Sequence, residues 1–292
     1  MAKSLHLKAY AKVNLGLDVI RRREDGYHEV KMIMQTVKLF DRLIMERTDS
    51  GIITLQTNLP YLPLHEKNLV YQAIDIIRRE YGIKDGVHVN LIKRIPVAAG
   101  MAGGSTDAAA AFVGMNQMFG LNITQETLMK YGVSLGADIP YCIMRGTALS
   151  EGIGEVLTPL PPIPRCWFLI VKPGFSISTR LVYEHLRLDE HTDHPDIDGM
   201  KTALYHKDLA GVTKRMGNVL EQVTQTRYPA IEELKNIMKK HGALNALMSG
   251  SGPTVFGIFT DKERASRACR ACQKHPSVRQ TAIVRPFNKS LH

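Results

Sequence analysis

The segment PVAAGMAGGSTDAAAAF, residues 96–112, places Gly100, Gly103 and Gly104 just before two hydroxyl residues and an alanine-rich run. A helix start has unpaired N–H groups and a partial positive charge, so it attracts phosphate. Glycines let the main chain turn those N–H groups inward and approach phosphate oxygens closely. The hydroxyls of Ser105 and Thr106 add groups for phosphate or Mg²⁺. The pattern predicts a phosphate site, with a tight packing turn as the alternative.

Several known nucleotide motifs are absent from this segment. No lysine follows the last glycine, as a Walker A motif requires, and the spacing is not G-x-G-x-x-G. The chain also lacks the H-R-D and D-F-G signatures of protein kinases. A phosphate-binding loop of another kind and a tight packing turn both stay open at this point.

The elements around the glycine segment are readable from hydrophobic periodicity. Residues 86–96 alternate as a strand, and a helix is expected from about Thr106 to Phe119, ended by Gly120. Further predicted elements are a strand or strand pair at 5–20, a turn at Asp25-Gly26, a helix capped by Asn68, a helix from Thr124 to about Leu135, and a hairpin at 145–157.

The second half begins after the proline-rich stretch TPLPPIPRCW, which is the best candidate for a domain boundary. Beyond it we expect a strand at 166–173, a helix from about Ser178, helical runs at about 207–225 and 229–241, a strand–glycine loop–strand unit at 245–259, a helix at 261–274 and a last strand near 280–285. Mixed elements in both halves predict a two-domain α+β protein with domains 1–160 and 161–292.

Composition places the 292-residue chain among ordinary globular proteins, with 44% hydrophobic residues and no membrane-length apolar run. The N-terminus has no signal-peptide pattern, and the four cysteines fit reduced structural residues, so a cytoplasmic protein is expected. The net charge of +10 favours an anionic partner. We expect a phosphate-rich small molecule rather than nucleic acid or membrane, with a solvated basic surface as the alternative.

One histidine- and aspartate-rich stretch, HTDHPDID at 191–198, has the residue types of a metal site. Pro195 prevents a regular ligand face, so a polar loop is the preferred interpretation and no protein metal site is expected.

Three segments together resemble the GHMP small-molecule kinases. PVAAGMAGGST is similar to their phosphate-binding motif, and AYAKVNLGLDV and LMSGSGPTVFGIF are similar to their other two motifs, in the same order. Met101 and Ala102 replace the family's usual Leu and Gly, and Thr106 replaces a common Ser. The segments GYHEV, KNLVYQAI, GADIPYC and GFSISTRLVY resemble members that phosphorylate a cytidine diphosphate-linked methylerythritol.

The resemblance implies a GHMP kinase fold with its active site in the cleft between two domains. It implies ATP and Mg²⁺ as cofactors, a small-molecule substrate, a monomer or homodimer, and catalytic roles for Lys12 and Asp138. A carboxylate can accept the proton of the attacked hydroxyl, and a nearby cation stabilises the developing charge. The residues implied for ATP are Pro96, Val97, Ala98, Ala99, Gly100, Met101, Ala102, Gly103, Gly104, Ser105 and Thr106, with Asn68 and Lys93 beside the adenine.

The resemblance also implies a substrate pocket, formed by Asn14, Tyr27, His28, Thr179 and Tyr183. From the residues alone, a structural hairpin pair is the preferred interpretation of Tyr27 and His28. Thr179 and Tyr183 also suit helix capping and core packing. Two other functions stay open: another GHMP kinase, of homoserine or mevalonate type, and a non-catalytic nucleotide- or RNA-binding protein on the same fold.

Overall fold

The computed structural model describes residues 3–288, in which strands and helices are mixed along the whole length. The strands are β1 (Ser4–Arg22), β2 (His28–Thr48), β3 (Ile53–Thr57), β4 (Gly86–Ile92), β5 (Thr147–Glu151), β6 (Val156–Leu160), β7 (Trp167–Pro173), β8 (Gly217–Asn218), β9 (Asn245–Met248), β10 (Val255–Phe259) and β11 (Val278–Val284). The helices are α1 (Leu69–Glu80), α2 (Gly103–Phe119), α3 (Gln125–Val133), α4 (Asp138–Met144), α5 (Thr179–His185), α6 (Ile197–Tyr205), α7 (Leu209–Lys214), α8 (Glu221–Thr224), α9 (Pro229–Lys240) and α10 (Lys262–Gln273). The predicted α+β class is confirmed.

The chain folds into two compact units that interleave along the sequence. The first combines the described residues up to Ala11 with Leu39–Val97 and Ala102–Met144. The second combines Lys12–Lys38, Ala98–Met101 and the described residues from Arg145 onward. Strands β1 and β2 contribute to both units, since each is about twenty residues long. The sequence domains 1–160 and 161–292 stay a prediction, because these units are built from separate stretches of chain.

In the first unit, helices pack on strands of a seven-stranded mixed sheet. Strand β4 pairs in parallel with β3 and antiparallel with the end of β2, with Val87 opposite Ile53 and Ile92 opposite Arg42. Helix α2 is buried on almost every side, as its run of four alanines at 108–111 allows. A Cβ at Gly114 would lie 2.4 Å from the Met45 sulfur, so this glycine lets α2 lie directly on β2.

The second unit holds a separate four-stranded antiparallel sheet in the order β11-β7-β10-β9. Helices α9 and α10 pack on it. The same unit pairs the start of β2 with the β5–β6 hairpin, which confirms the hairpin expected at 145–157. The indole ring of Trp167, at the start of β7, has the Arg285 guanidinium 3.8 Å from its centroid and the Lys262 ammonium 5.7 Å away.

Most predicted elements are confirmed, and the exceptions have local causes. Helix α2 begins three residues earlier than expected, at Gly103, because first-turn positions tolerate glycine better than a helix interior does. The single helical run expected at 207–225 is wrong: β8 separates α7 from α8, and it pairs in parallel with β1 through Gly217 and Gly16. Strands β2 and β3 and helices α4 and α6 were not predicted.

No helix in the described part of the chain is long and apolar enough to cross a membrane. The four cysteines, all within it, are free, as expected. Burial raises the pKa of the Cys166 and Cys272 thiols to about 12, so neither is a thiolate at neutral pH. This agrees with structural rather than redox cysteines.

Two alanines beside the glycines, Ala98 and Ala102, have left-handed backbones with φ of 50° and 55°. We expect Ala102→Gly to raise the free energy of unfolding by about 1 kcal/mol, because glycine avoids the cost that Cβ imposes there. Gly120→Ala is the control with opposite sign: its φ is 62° and nothing lies within 4 Å of its Cβ position. It should lower stability by a similar amount. Urea unfolding measures both changes; equal stability of Ala102→Gly and the wild type would contradict the expectation.

Candidate active site

Helix α2 starts directly after the glycine loop, and its N-cap residue, Ala102, makes no side-chain hydrogen bond to the first turn. That turn contains no acidic residue, and Ala102 before it is left-handed. Gly104 is exposed, and a Cβ there would meet only the Leu69 Cδ1 atom, at 3.5 Å. An uncapped start of a 17-residue helix, with an open glycine, presents main-chain N–H groups and the positive end of the helix dipole to an anion.

The other two glycines of the loop lie close to neighbouring protein atoms, and the restriction is stricter at Gly100. A Cβ at Gly100 would lie 2.0 Å from the carbonyl oxygen of Ser249, and Gly100 has φ of 72°. A Cβ at Gly103 would lie 3.2 Å from Ile95 Cγ2 and 3.3 Å from the Lys93 ammonium. The packing alternative therefore accounts for Gly100 and Gly103, whereas Gly104 has open space in front of it.

The segment between β9 and β10, residues 249–254, lies against the Gly100 part of the loop. The Ser249 hydroxyl donates to the Gly100 carbonyl at 2.9 Å. The Asn218 side-chain amide donates to the carbonyls of Met248 and Gly250, at 2.9 and 2.8 Å. The buried Glu221 carboxylate accepts the Met248 N–H at 2.6 Å. These bonds fix the main chain on which Gly100 packs.

Lys12 and Asn14 are two residues apart on β1, so their side chains share a face. The Lys12 ammonium donates to the Asn14 side-chain carbonyl at 2.9 Å, and its main-chain N–H donates to the Met101 carbonyl at 3.2 Å. Asn14 is fully buried and its amide nitrogen contacts the Met32 sulfur at 3.1 Å. The structure therefore places Asn14 as a partner of Lys12.

Lys93 is buried, and its ammonium contacts the carboxylates of Asp41 and Asp107. Burial by itself would lower the pKa of Lys93, but attraction to Asp107 and Asp41 outweighs burial and raises it. Burial is also the main cause that raises the pKa of Asp107 well above its usual range; Lys93 opposes this and Asp41 adds to it. Lys93 thus has two protein partners, and its place beside an adenine stays a prediction.

The two hydroxyls after the glycines differ in their surroundings. Thr106 is buried and donates to the Tyr10 carbonyl at 2.8 Å, which ties the start of α2 to β1. Ser105 is half-buried. Nowhere between residues 3 and 288 do three or more His, Cys, Asp or Glu side chains gather as a metal site would require. Of the two hydroxyls, that of Ser105 is therefore the one that stays partly accessible beside the loop.

Asp138 is the first residue of α4 and is half-buried. Helix α4 packs against α2 and α3 in the first unit. The remainder of α4 is buried, so the helix is held firmly while its first carboxylate stays partly accessible. A carboxylate on a well-packed element suits a positioned base.

Tyr27 and His28, neighbours in the sequence, have different surroundings in the structure. Tyr27 is 62% exposed, and its main-chain N–H is bound by Asp25 at 3.0 Å. The His28 ring instead lies against Tyr183, with centroids 5.0 Å apart and an angle of 42° between the rings. Burial, and then the charge of Arg22, lower the pKa of His28, which favours the neutral imidazole at pH 7.

Two further predicted site residues, Thr179 and Asn68, lie at helix starts. Thr179 is the first residue of α5, whose cap is Ser178, and its hydroxyl lies 2.7 Å from that of Ser251. Asn68 caps α1 by accepting the Val70 N–H at 2.9 Å, and its amide donates to the Pro63 carbonyl at 2.8 Å. Both ends of the Asn68 side chain are therefore bound within the protein, and its contact with adenine stays a prediction.

Three residues of the candidate site were not singled out from the sequence. Ser249 and Ser251 lie in the recognised segment LMSGSGPT, where serines between glycines are a readable signal. Asn218 lies in MGNVL, where nothing in the sequence shows that its amide holds two carbonyls thirty residues away.

Comparison with known proteins identifies relatives along nearly the whole chain. The model of the GHMP kinases N-terminal domain matches residues 68–146, and that of the GHMP kinases C-terminal domain matches residues 200–278. A 4-diphosphocytidyl-2-C-methyl-D-erythritol kinase of Lachnoclostridium phytofermentans is 56% identical over 283 residues, which is 97% of each chain. One of Clostridium perfringens is 46% identical over 98% of this chain and 99% of its own.

Solved structures of GHMP kinases are also similar to this chain. A crystal structure of 4-(cytidine 5'-diphospho)-2C-methyl-D-erythritol kinase superposes with a TM-score of 0.82 at 31% identity, over 98% of this chain and 100% of that one. A homoserine kinase from Cytophaga hutchinsonii reaches 0.79 at 20% identity, over 99% and 96%, which shows a shared fold. Because both domain models match in order and full-length relatives exceed 50% identity, the chain belongs to the GHMP kinase family.

Proposed function

We propose that the protein is an ATP-dependent kinase that phosphorylates the 2-hydroxyl of 4-diphosphocytidyl-2-C-methyl-D-erythritol. The observation that carries the proposal is the 56% identity, over 97% of both chains, with a kinase of that name. The product is the 2-phosphate, an intermediate of non-mevalonate isoprenoid biosynthesis. We place the protein in the cytoplasm, where thiols stay reduced. The assembly, a monomer or a homodimer, stays a prediction.

The glycine loop and the start of α2 are the proposed binding site for the ATP phosphates. Support comes from the uncapped first turn, the open face of Gly104 and the half-buried Ser105 hydroxyl. Bound ATP supplies the transferred phosphoryl group, and Mg²⁺ neutralises part of its charge. The protein's contribution is to orient these groups through main-chain N–H donors.

Asp138 and Lys12 are the proposed catalytic residues. The Asp138 carboxylate takes the proton of the substrate hydroxyl, and the Lys12 ammonium stabilises negative charge that develops during transfer. Lys12 is held for this role by Asn14 and by the Met101 carbonyl. His28, Tyr183 and Thr179 form the proposed substrate side, with Tyr27 at its exposed edge.

The competing functions predict different assay results. A homoserine or mevalonate kinase would consume ATP with those alcohols, and a binding protein would consume none. We expect ATP consumption only with the cytidine diphosphate substrate, measured by coupled ADP release across all three alcohols. Turnover of homoserine or mevalonate at a comparable kcat/KM would overturn the substrate assignment. Binding of RNA in a titration, together with no ATP consumption with any of the three alcohols, would overturn the enzyme assignment.

The loop is tested at Gly104, where a methyl group has room in the protein. We expect Gly104→Ala to raise KM for ATP about tenfold, the equivalent of one lost main-chain contact with phosphate. Its melting temperature should not fall, since alanine favours helix. A variant that melts normally and binds ATP as tightly as the wild type would make the loop purely structural.

Asp138→Asn keeps the shape of the side chain but cannot take a proton. We expect kcat to fall ~10²–10⁴-fold, with the Kd for ATP nearly unchanged. The matched control is Asp75→Asn, which removes a partly exposed carboxylate paired with Arg79 in the same unit, and it should leave kcat unchanged. Near-normal turnover by pure Asp138→Asn enzyme would remove Asp138 from the mechanism.

Base selection is tested with cytidine and uridine forms of the substrate. Stacking discriminates bases poorly, so selection needs hydrogen bonds to the base edge. We expect His28→Ala to narrow the kcat/KM ratio of the two substrates, and Tyr27→Ala to weaken both about equally. Tyr205→Ala, which removes a similarly exposed tyrosine elsewhere, is the control. If Tyr27→Ala and His28→Ala leave both substrates unaffected, the cytidine pocket lies elsewhere.

A further inference from the structure

A buried charge cluster lies below the glycine loop in the first unit. Lys93 follows β4, Asp41 lies on β2, and Asp107 lies in α2, and their exposed fractions are 7%, 0% and 3%. The Lys93 ammonium contacts one oxygen of Asp41 and lies 2.5 Å from one oxygen of Asp107. One cation therefore joins carboxylates from a strand and from the helix whose first turn is the proposed phosphate site.

The cluster holds both ends of the glycine loop. The second oxygen of Asp41 accepts the N–H groups of Arg94 and of Ile95, the latter at 2.8 Å, and these are the residues just before Pro96. At the other end, Asp107 is the fifth residue of α2. Between them, a Cβ at Gly103 would lie 3.3 Å from the Lys93 ammonium, so this glycine makes room for the cluster.

The charges of the cluster do not balance if both carboxyls are ionised. One ammonium and two carboxylates would leave a buried net charge of −1 beside a site for a polyanion. Asp107 Oδ1 is also buried and has no hydrogen-bond partner among the described residues. An ionised carboxylate with an unpaired buried oxygen is costly, and a neutral carboxyl much less so.

We propose that Lys93, ionised Asp41 and protonated Asp107 form a positioning clamp that fixes the two ends of the glycine loop for ATP. In this clamp Asp41 balances the charge of Lys93 and holds the main chain before the loop. Asp107 accepts a hydrogen bond as a neutral acid and ties α2 to the same ammonium. The direction of the pKa shift of Asp107, raised chiefly by burial, agrees with this assignment. The clamp rests on the proposed nucleotide role of the loop.

The test uses the fact that two carboxyls contact one ammonium but carry different charges. Asp107→Asn replaces a neutral acid with a neutral amide, so KM for ATP should stay within about twofold and the melting temperature should not fall. Asp107→Leu removes a hydrogen-bond acceptor of the Lys93 ammonium. Asp41→Asn removes the negative charge that balances Lys93. Each of these two should raise KM for ATP about tenfold or more, with kcat at saturating ATP changed far less.

Asp85→Asn is the matched control. Asp85 pairs with Arg47 at 3.1 Å at the far end of the same β2–β4 pair, so its loss removes an ion pair without touching the loop. ATP affinity is also measured by titration with a fluorescent ATP analogue without the second substrate, together with thermal unfolding. The clamp is therefore tested even if the acceptor alcohol is assigned wrongly.

Two results would overturn the proposal. If Asp107→Asn weakens ATP as much as Asp41→Asn does, both carboxyls are ionised and equivalent. If Asp107→Leu and Asp41→Asn fold and bind ATP like Asp85→Asn, the cluster stabilises the unit without positioning the loop.

Discussion

The missing Cβ of Gly100 is the constraint on which much of the candidate site depends. Without it, the main chain of the glycine loop can lie against the carbonyl of Ser249, 149 residues away in sequence. Peptide groups brought this close must have their polar atoms paired, since unpaired buried groups are costly. Ser249, Asn218 and Glu221 provide that pairing, and Lys12 joins it through the Met101 carbonyl. The glycine loop and the LMSGSGPT segment, two motifs of the family, are thus joined by hydrogen bonds.

A second buried lysine, Lys235, also lies between two carboxylates, but it differs from Lys93 in the exposure of its partners. Lys235 contacts Glu221, which is buried, and Glu232, whose side chain is 41% exposed. Water can therefore solvate the surplus negative charge at Glu232. Around Lys93 neither Asp41 nor Asp107 is exposed to water, so the positive and negative charges must balance within the cluster itself. Each lysine anchors a segment of the candidate site, one below α2 and the other below the 249–254 segment.

The sequence predicted well what depends on local periodicity and caps. Helix α1 with its Asn68 cap, the hairpin of β5 and β6, and the glycine turn before α2 are examples. It predicted less well what depends on distant partners. The parallel pairing of β8 with β1 interrupts a helical pattern, and the ring contact between His28 and Tyr183 joins residues that are far apart in the sequence. The roles of Gly100 and Gly103 were ambiguous for the same reason, because the atoms that exclude a Cβ there are main-chain and side-chain neighbours that spacing does not reveal.

The single tryptophan of the chain is an intrinsic fluorophore that reports on its own surroundings. Trp167 begins β7, the strand between β11 and β10, and two cations lie over its ring. Its emission wavelength and quantum yield respond to the departure of those charges and to solvent reaching the indole. Intrinsic fluorescence will therefore follow the loss of this sheet in the second unit. Because α2 and its charge cluster belong to the first unit, an optical melt of this protein also needs circular dichroism, which follows the helix and strand content of the whole molecule.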